Sequence, residues 1–181
     1  MAADLSKRFP TPADAVKAGY VRYTAEDDTG AISYANRHWT SADLAHPSQL
    51  WYDVKGRLLG ADVSVPATSS KTPPKAQFGF LPSRWQYFEL HDHYVLRGAG
   101  GKDTYGGVGP KKIRGAGGDP NAPKAADLVK AGVVKKASDV RTAFVFPAVW
   151  DAVIWVIPNP SGAFAEKNPN VTPSAAAKHE M

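Results

Sequence analysis

The chain has 181 residues, a formal charge of +5 and no cysteine. Its length suits one domain with a sizeable core, and the missing cysteine excludes a disulfide framework, a thiolate metal site and a cysteine nucleophile. No apolar run approaches the ~20 residues that a transmembrane helix needs.

The opening Met1-Ala2-Ala3-Asp4-Leu5-Ser6-Lys7-Arg8 lacks the apolar core of a signal peptide. The expected location is cytoplasmic as written, or exported if an upstream leader has been removed. Thr11-Pro12-Ala13-Asp14 reads as a helix start, with a capping hydroxyl, a proline in the first turn and an acid at the positive end of the dipole. Gly19 ends that helix. Strands are predicted at Val21 to Thr24 and at Ala31 to Trp39, with Ile32 and Tyr34 on one face and His38 near the end. Leu50 to Val54 and Arg57 to Val65, joined at Lys55-Gly56, form the clearest hairpin. Leu59, Ala61, Val63 and Val65 alternate toward one face of it. Pro66 ends the strand, and residues 67–77 read as an exposed loop.

Gln86 to Arg97 reads as one long strand, whose alternation puts Tyr87, Glu89, His91 and His93 on one face. Residues 98–118 contain nine glycines. So long a loop suggests a mobile lid or a plain excursion. It lacks the G-x-x-x-x-G-K-[ST] spacing of a phosphate cradle. Asn121 to Ala131 reads as a second helix capped by Gly132, after which Val133-Val134 leads back into a sheet.

The run from Trp150 to Ile157 is apolar except for Asp151 and is rich in Val, Ile and Trp. It is too short to span a membrane as a helix and fits a strand buried on both faces. Pro158-Asn159-Pro160-Ser161-Gly162 stops it by turn chemistry. The expected fold is α+β, mostly β: a curved antiparallel sheet or partly closed barrel with two short helices. The predicted domain is 1–173, with a flexible tail at 174–181. Asp14-Ala15-Val16-Lys17-Ala18-Gly19-Tyr20-Val21 and Asp127-Leu128-Val129-Lys130-Ala131-Gly132-Val133-Val134 share six of eight residues. That echo is either a duplicated helix–strand unit or one helix ending used twice.

The candidate chemistry lies on the strand 86–97. His91 and His93 can act as a general base with an orienting partner, and Glu89 stands beside them. The same pair can supply two imidazoles to a metal, with Glu89 or His38 as a third ligand, although His-x-His alone is a weak metal signal and no cofactor is expected. The competing reading makes these residues the polar outer face of a half-exposed strand. Asp151 joins the candidate catalytic set as the one charge in an apolar strand, since a buried carboxyl must be paired or protonated. A structural partnership with backbone amides or an arginine is the alternative for it. His38, Trp39, Tyr87 and Lys102 are the candidate ligand-binding residues. No G-x-S-x-G is present to suggest a serine nucleophile.

Charge is distributed unevenly. Lys111, Lys112, Arg114, Lys124, Lys130, Lys135, Lys136 and Arg141 face only Asp119, Asp127 and Asp139 between residues 111 and 141, so this window carries the whole net charge. Such a patch attracts phosphate, nucleic acid or anionic lipid, or is simply a solvated helix and loop. No aromatic side chain interleaves it, which disfavours single-strand stacking and makes nucleic acid a weak expectation.

Two blocks carry a family resemblance. One is Pro47-Ser48-Gln49-Leu50-Trp51-Tyr52-Asp53 with Gly56-Arg57-Leu58-Leu59-Gly60-Ala61-Asp62. The other is Trp150-Asp151-Ala152-Val153-Ile154-Trp155-Val156 with Asn159-Pro160-Ser161-Gly162-Ala163-Phe164 and Asn168-Pro169-Asn170-Val171. The second is similar to the D-L-H-V-W-x-W…N-P-x-G-x-F…N-P-x-V run of an uncharacterised group of small, often exported bacterial proteins. The group's histidine falls on Val153 here, so chemistry that depends on it does not carry over. The resemblance implies a β-rich architecture and oligomeric assembly, and it brings no activity.

The leading expectation is a small-molecule-binding, barrel-like protein with a histidine-lined pocket under the glycine-rich segment. If it is catalytic, acid–base chemistry of the isomerase, cyclase or lyase type asks least of the sequence. The alternative is a non-enzymatic homo-oligomer assembling through its sheet. A weaker alternative is anion or nucleic-acid binding through residues 111–141.

Overall fold

A computed structural model of the chain describes residues 2–36, 38, 45–77 and 79–177. Contacts divide the chain into two compact units, the first comprising Met1–Phe88 with Val149–Met181 and the second Glu89–Ala148. The architecture is α+β and mostly β, as the patterning predicts, with four short helices among the described residues rather than two.

The first unit is a curled, half-barrel antiparallel sheet of six strands. They are β1 (Val21–Glu26), β2 (Ile32–Ala35), β3 (Gln49–Tyr52), β4 (Leu58–Pro66), β5 (Gln86–Phe88) and β9 (Val149–Trp155), in the order β1-β2-β3-β4-β9-β5. β9 pairs with β4 from Gly60↔Trp155 to Pro66↔Val149 and with β5 on its other side. That central position explains its nearly unbroken apolar sequence. β3 and β4 form the expected hairpin. Asp53 closes its turn by accepting the backbone N–H groups of Lys55 and Arg57, both at 2.9 Å.

Strand alternation gives this sheet two unlike faces. On one, Ile32, Tyr34, Leu50, Tyr52 and Ala61 pack with Leu5 and Phe9 of the N-terminal segment and with Ala15 and Tyr20. Val63, Trp150, Ala152 and Ile154 continue it with Phe80 and Trp85. Two helices lie in the N-terminal segment: α1 (Ala2–Arg8), which the sequence reading missed, and α2 (Pro12–Lys17). Thr11 caps α2 as expected, with its hydroxyl accepting from the backbone N–H of Asp14. Thr11→Ala should cost about 1 kcal/mol in urea unfolding; an unchanged midpoint would show that the cap contributes nothing.

The predicted strand 31–39 ends at Ala35, and His38 lies in an exposed turn beyond it. Trp39 is outside the described residues. The C-terminal segment is anchored as far as Ser174, whose backbone N–H and hydroxyl both donate to the buried Glu26 carboxylate, the first at 2.7 Å.

The second unit is a three-stranded sheet, order β7-β6-β8, built from β6 (His91–Leu96), β7 (Thr104–Val108) and β8 (Val140–Phe146). α3 (Pro110–Gly115) and α4 (Ala125–Lys130) cover it through Ile113 and Leu128, which join Val108, Val134 and Val140. Leu128 is fully buried, so Leu128→Ala should destabilise this unit by about 2–5 kcal/mol. A loss under 1 kcal/mol in denaturant titration would contradict that packing.

Three expectations are corrected here. The long strand 86–97 is broken at Glu89 and Leu90, so Tyr87 and His91 belong to different sheets. The glycine-rich segment is not a structureless loop: it contains β7 and α3. Gly106 has a packing reason, since a Cβ there would stand 2.4 Å from the Tyr94 hydroxyl, and the Tyr94 ring occupies that space instead. The second helix begins at Ala125 rather than Asn121, and the return to the sheet begins at Val140, not at Val133.

The internal echo is a helix ending rather than a duplicated unit. Tyr20 N–H donates to Ala15 O at 3.0 Å, and Val133 N–H donates to Leu128 O at 2.9 Å. Gly19 and Gly132 take φ of 90° and 64°, so both helices close with the same left-handed glycine. Only the first leads directly into a strand.

Candidate functional site

The second face of the six-stranded sheet is polar at its centre. Ladder registers place Ser33 opposite Trp51, Gln49 opposite Asp62, and Ser64 opposite Asp151. Gln49, Asp62, Ser64 and Asp151 therefore share one face with Ser33, and all five are buried. The sequence shows why. On β4 the residues between Leu59, Ala61, Val63 and Val65 are Gly60, Asp62 and Ser64, so the phase opposite the apolar one is polar.

The polar groups are hydrogen-bonded in short links. Tyr23 donates its hydroxyl to Gln49 Oε1, which turns the amide so that Gln49 Nε2 donates to Asp151 Oδ2 at 3.3 Å. Trp51 Nε1 donates to Asp62 Oδ2 at 3.1 Å. Ser48 Oγ is within hydrogen-bond reach of Ser64 Oγ and donates to the Asp62 carbonyl at 3.1 Å. The other oxygen of Asp151, Oδ1, is buried and has no partner among the described residues.

Apolar side chains flank this centre. Trp51 and Trp155 meet edge to face at 5.6 Å, within a cluster containing Ala31 and Leu59. Gly60 makes that arrangement possible, because a Cβ there would lie 2.7 Å from Trp51 Cε3 and 2.7 Å from the Ile154 carbonyl. Its bare backbone lets the Trp51 indole lie flat across β4, within reach of Asp62.

Burial sets the electrostatics. It pushes the Asp62 carboxyl well above the usual carboxylate range, the Asp151 charge adds to the effect, and the Trp51 N–H opposes it. Asp151 is pushed up to about 7 by burial, with the nearby Ser64 hydroxyl working the other way. Two acids on one face that both hold their protons more tightly than usual can divide the roles of acid and base between them.

The histidines lie in the second unit, on the face of the small sheet that carries Phe144 and Phe146. His91 stacks on Phe146 at 5.3 Å, and its ring meets that of His93 at 4.7 Å. His91 Nδ1 lies 2.6 Å from the Glu89 carbonyl, so that nitrogen donates to it. Burial, and then the neighbouring His91, pushes His93 down to about 3. Its imidazole should therefore stay neutral through pH 5 in nitrogen-detected NMR, and protonation near pH 6.5 would refute this. The Glu89 side chain and Lys102 are exposed. Among the described residues, no cluster of three His, Asp or Glu side chains is arranged to hold a metal ion.

The structure thus brings His91 and His93 together in one unit and places Asp151 among buried polar partners in the other. It places Tyr87 on the opposite face of β5 from Gln86, the residue that pairs with Asp151, and edge to face with Trp150 at 5.5 Å. Asp62, Gln49 and Ser64 were absent from the sequence-level candidates. The signal for them was the Gly60-x-Asp62-x-Ser64 phase of β4, which reads equally well as a solvent-facing edge.

No protein-family model, curated protein or solved structure matches this chain.

Proposed function

We propose that the protein binds a small polar organic molecule against the Asp62–Asp151 face of its curled sheet and acts on it as an acid–base pair. One observation carries this reading: two buried carboxyls on neighbouring strands share a face, and one Asp151 oxygen has no partner among the described residues. A buried acceptor left unpaired is costly unless something else satisfies it. The Trp51 and Trp155 rings offer apolar surface beside it, which is the usual mix of a small-molecule site.

The chemistry that asks least of this pair is proton transfer within one molecule. Ionised Asp151 takes a proton from a carbon next to a carbonyl. Protonated Asp62 gives its proton to the carbonyl oxygen as negative charge develops there. The product is the enol, and return of a proton to another carbon completes an isomerisation with no external oxidant or reductant. Gln49 orients Asp151, and Trp51 orients Asp62. Of these two carboxyls, only Asp151 stood in the sequence-level catalytic set, beside His91, His93 and Glu89.

Ligand-observed NMR with a panel of small hydroxy-ketones and keto-acids tests the proposal, together with exchange of their α-protons in D2O. Binders that weaken at least tenfold in both D62N and D151N, but not in H91A, support it. No binder at millimolar concentration, or binders indifferent to both substitutions, would overturn it.

A further inference from the structure

The basic window of the second unit takes no part in that site, and its side chains are laid out for a different partner. α3 and α4 turn Ile113 and Leu128 inward to the sheet. Lys111, Lys112 and Arg114 on α3, Lys124 and Lys130 at the two ends of α4, and Lys135 and Lys136 after it are all exposed. The acids of the same window are engaged locally. Asp127 is buried and accepts the Lys124 backbone N–H at 3.3 Å. Asp119 accepts the backbone and side-chain amides of Asn121 at 2.9 and 3.2 Å, and Asp139 accepts the Ser138 hydroxyl at 3.4 Å. Of the eight basic side chains, only Arg141 forms an ion pair among the described residues, with Asp103 at 2.9 Å.

We propose that the outer surface of this helical layer binds the phosphodiester backbone of duplex nucleic acid without reading its sequence. Unneutralised exposed cations on short helices and loops match a regular array of phosphates, and release of counterions from that array drives such binding. Two observations choose this polyanion over the others. The exposed large apolar side chains, Val16, Val21, Val54, Leu81, Phe88 and Phe164, all lie in the first unit. The basic layer therefore has no apolar anchor of the kind that holds a helix in a lipid interface. The aromatic side chains of the second unit are buried or only partly exposed, so single-strand bases find little stacking surface. That leaves the backbone of a duplex, which needs charge alone.

Fluorescence anisotropy of the full chain with a labelled random-sequence 20-base-pair DNA duplex is the test. With about four phosphate contacts, affinity should fall about 100-fold between 50 and 200 mM salt. The triple variant K111Q/K112Q/R114Q should flatten the slope of log affinity against log salt by about 2–3. All three side chains are exposed, so folding is spared. A matched triple in the first unit, K55Q/K71Q/K75Q, should leave the slope unchanged. Failure to retain the duplex at 50 mM salt overturns the proposal. So does a slope that the α3 triple does not change, or capture by phosphatidylserine vesicles in place of the duplex.

Discussion

Relative to D151N, the wild-type protein should lose about 4 kcal/mol of stability as the pH rises from about 4 to about 7. Asp151 is 2% exposed and pushed up to about 7, whereas the same carboxyl in the unfolded chain titrates near 3.8. Between those two values the folded protein holds a proton that the unfolded chain has released. Stability therefore falls as pH rises through this window and levels off above it. Asp62 is raised by burial as well and extends the decline to higher pH. His93 acts in the opposite sense: its folded value of about 3 lies below the unfolded one, so its contribution is complete above about pH 6.5 and is lost as pH falls toward 3. That loss is common to both proteins, so their difference reports Asp151 together with the part of the Asp62 shift that the Asp151 charge supplies. Denaturant unfolding at half-unit steps of pH measures it. Parallel curves for wild type and D151N would mean that Asp151 is solvated.

The second large effect is expected at a residue with no side chain. Gly60→Ala should destabilise the first unit by about 3 kcal/mol and displace Trp51. The added Cβ meets the Ile154 carbonyl and the Trp51 ring, both at 2.7 Å. The first is backbone of the paired strand β9 and can yield only by opening the ladder; overpacking of this kind typically costs about 1–3 kcal/mol. The second removes the indole from Asp62, which then loses its Trp51 donor and should hold its proton more tightly still. Unfolding experiments should show the loss of stability. A red-shifted Trp emission should show the indole leaving its apolar setting, and W51F should reproduce the effect on Asp62 without the strain. A Gly60→Ala protein with native stability and unchanged emission would contradict the packing of this face.

How much of this was legible in the sequence depends on the range of the forces involved. Local signals read well. Thr11-Pro12 and Gly19 bound α2, and the Leu50–Val65 hairpin and the buried Trp150 run each had a direct periodic or turn signature. The break at Glu89–Leu90 did not, because Gln86 to Arg97 alternates without a proline or glycine to interrupt it. Which ladder each half joins is decided by pairing with β9 or with β7 and β8, residues distant in the chain. The glycines of 98–118 looked like mobility because sequence cannot show that the Tyr94 ring occupies the space above Gly106. Asp151 stood out as a charge in an apolar run. Asp62 did not, since an Asp in the polar phase of a strand ordinarily faces water, and only the tertiary fold buries that phase.

The carboxyl protonation states are the most direct measure of the site. Carbon-detected NMR of the aspartate side chains, with Asp62 and Asp151 assigned through D62N and D151N, follows each carboxyl as pH is varied. With both carboxyls buried, Asp151 should titrate near 7 and Asp62 should keep its proton well above the ordinary carboxylate range. Both carboxyls titrating close to 4, independently of one another, would contradict it.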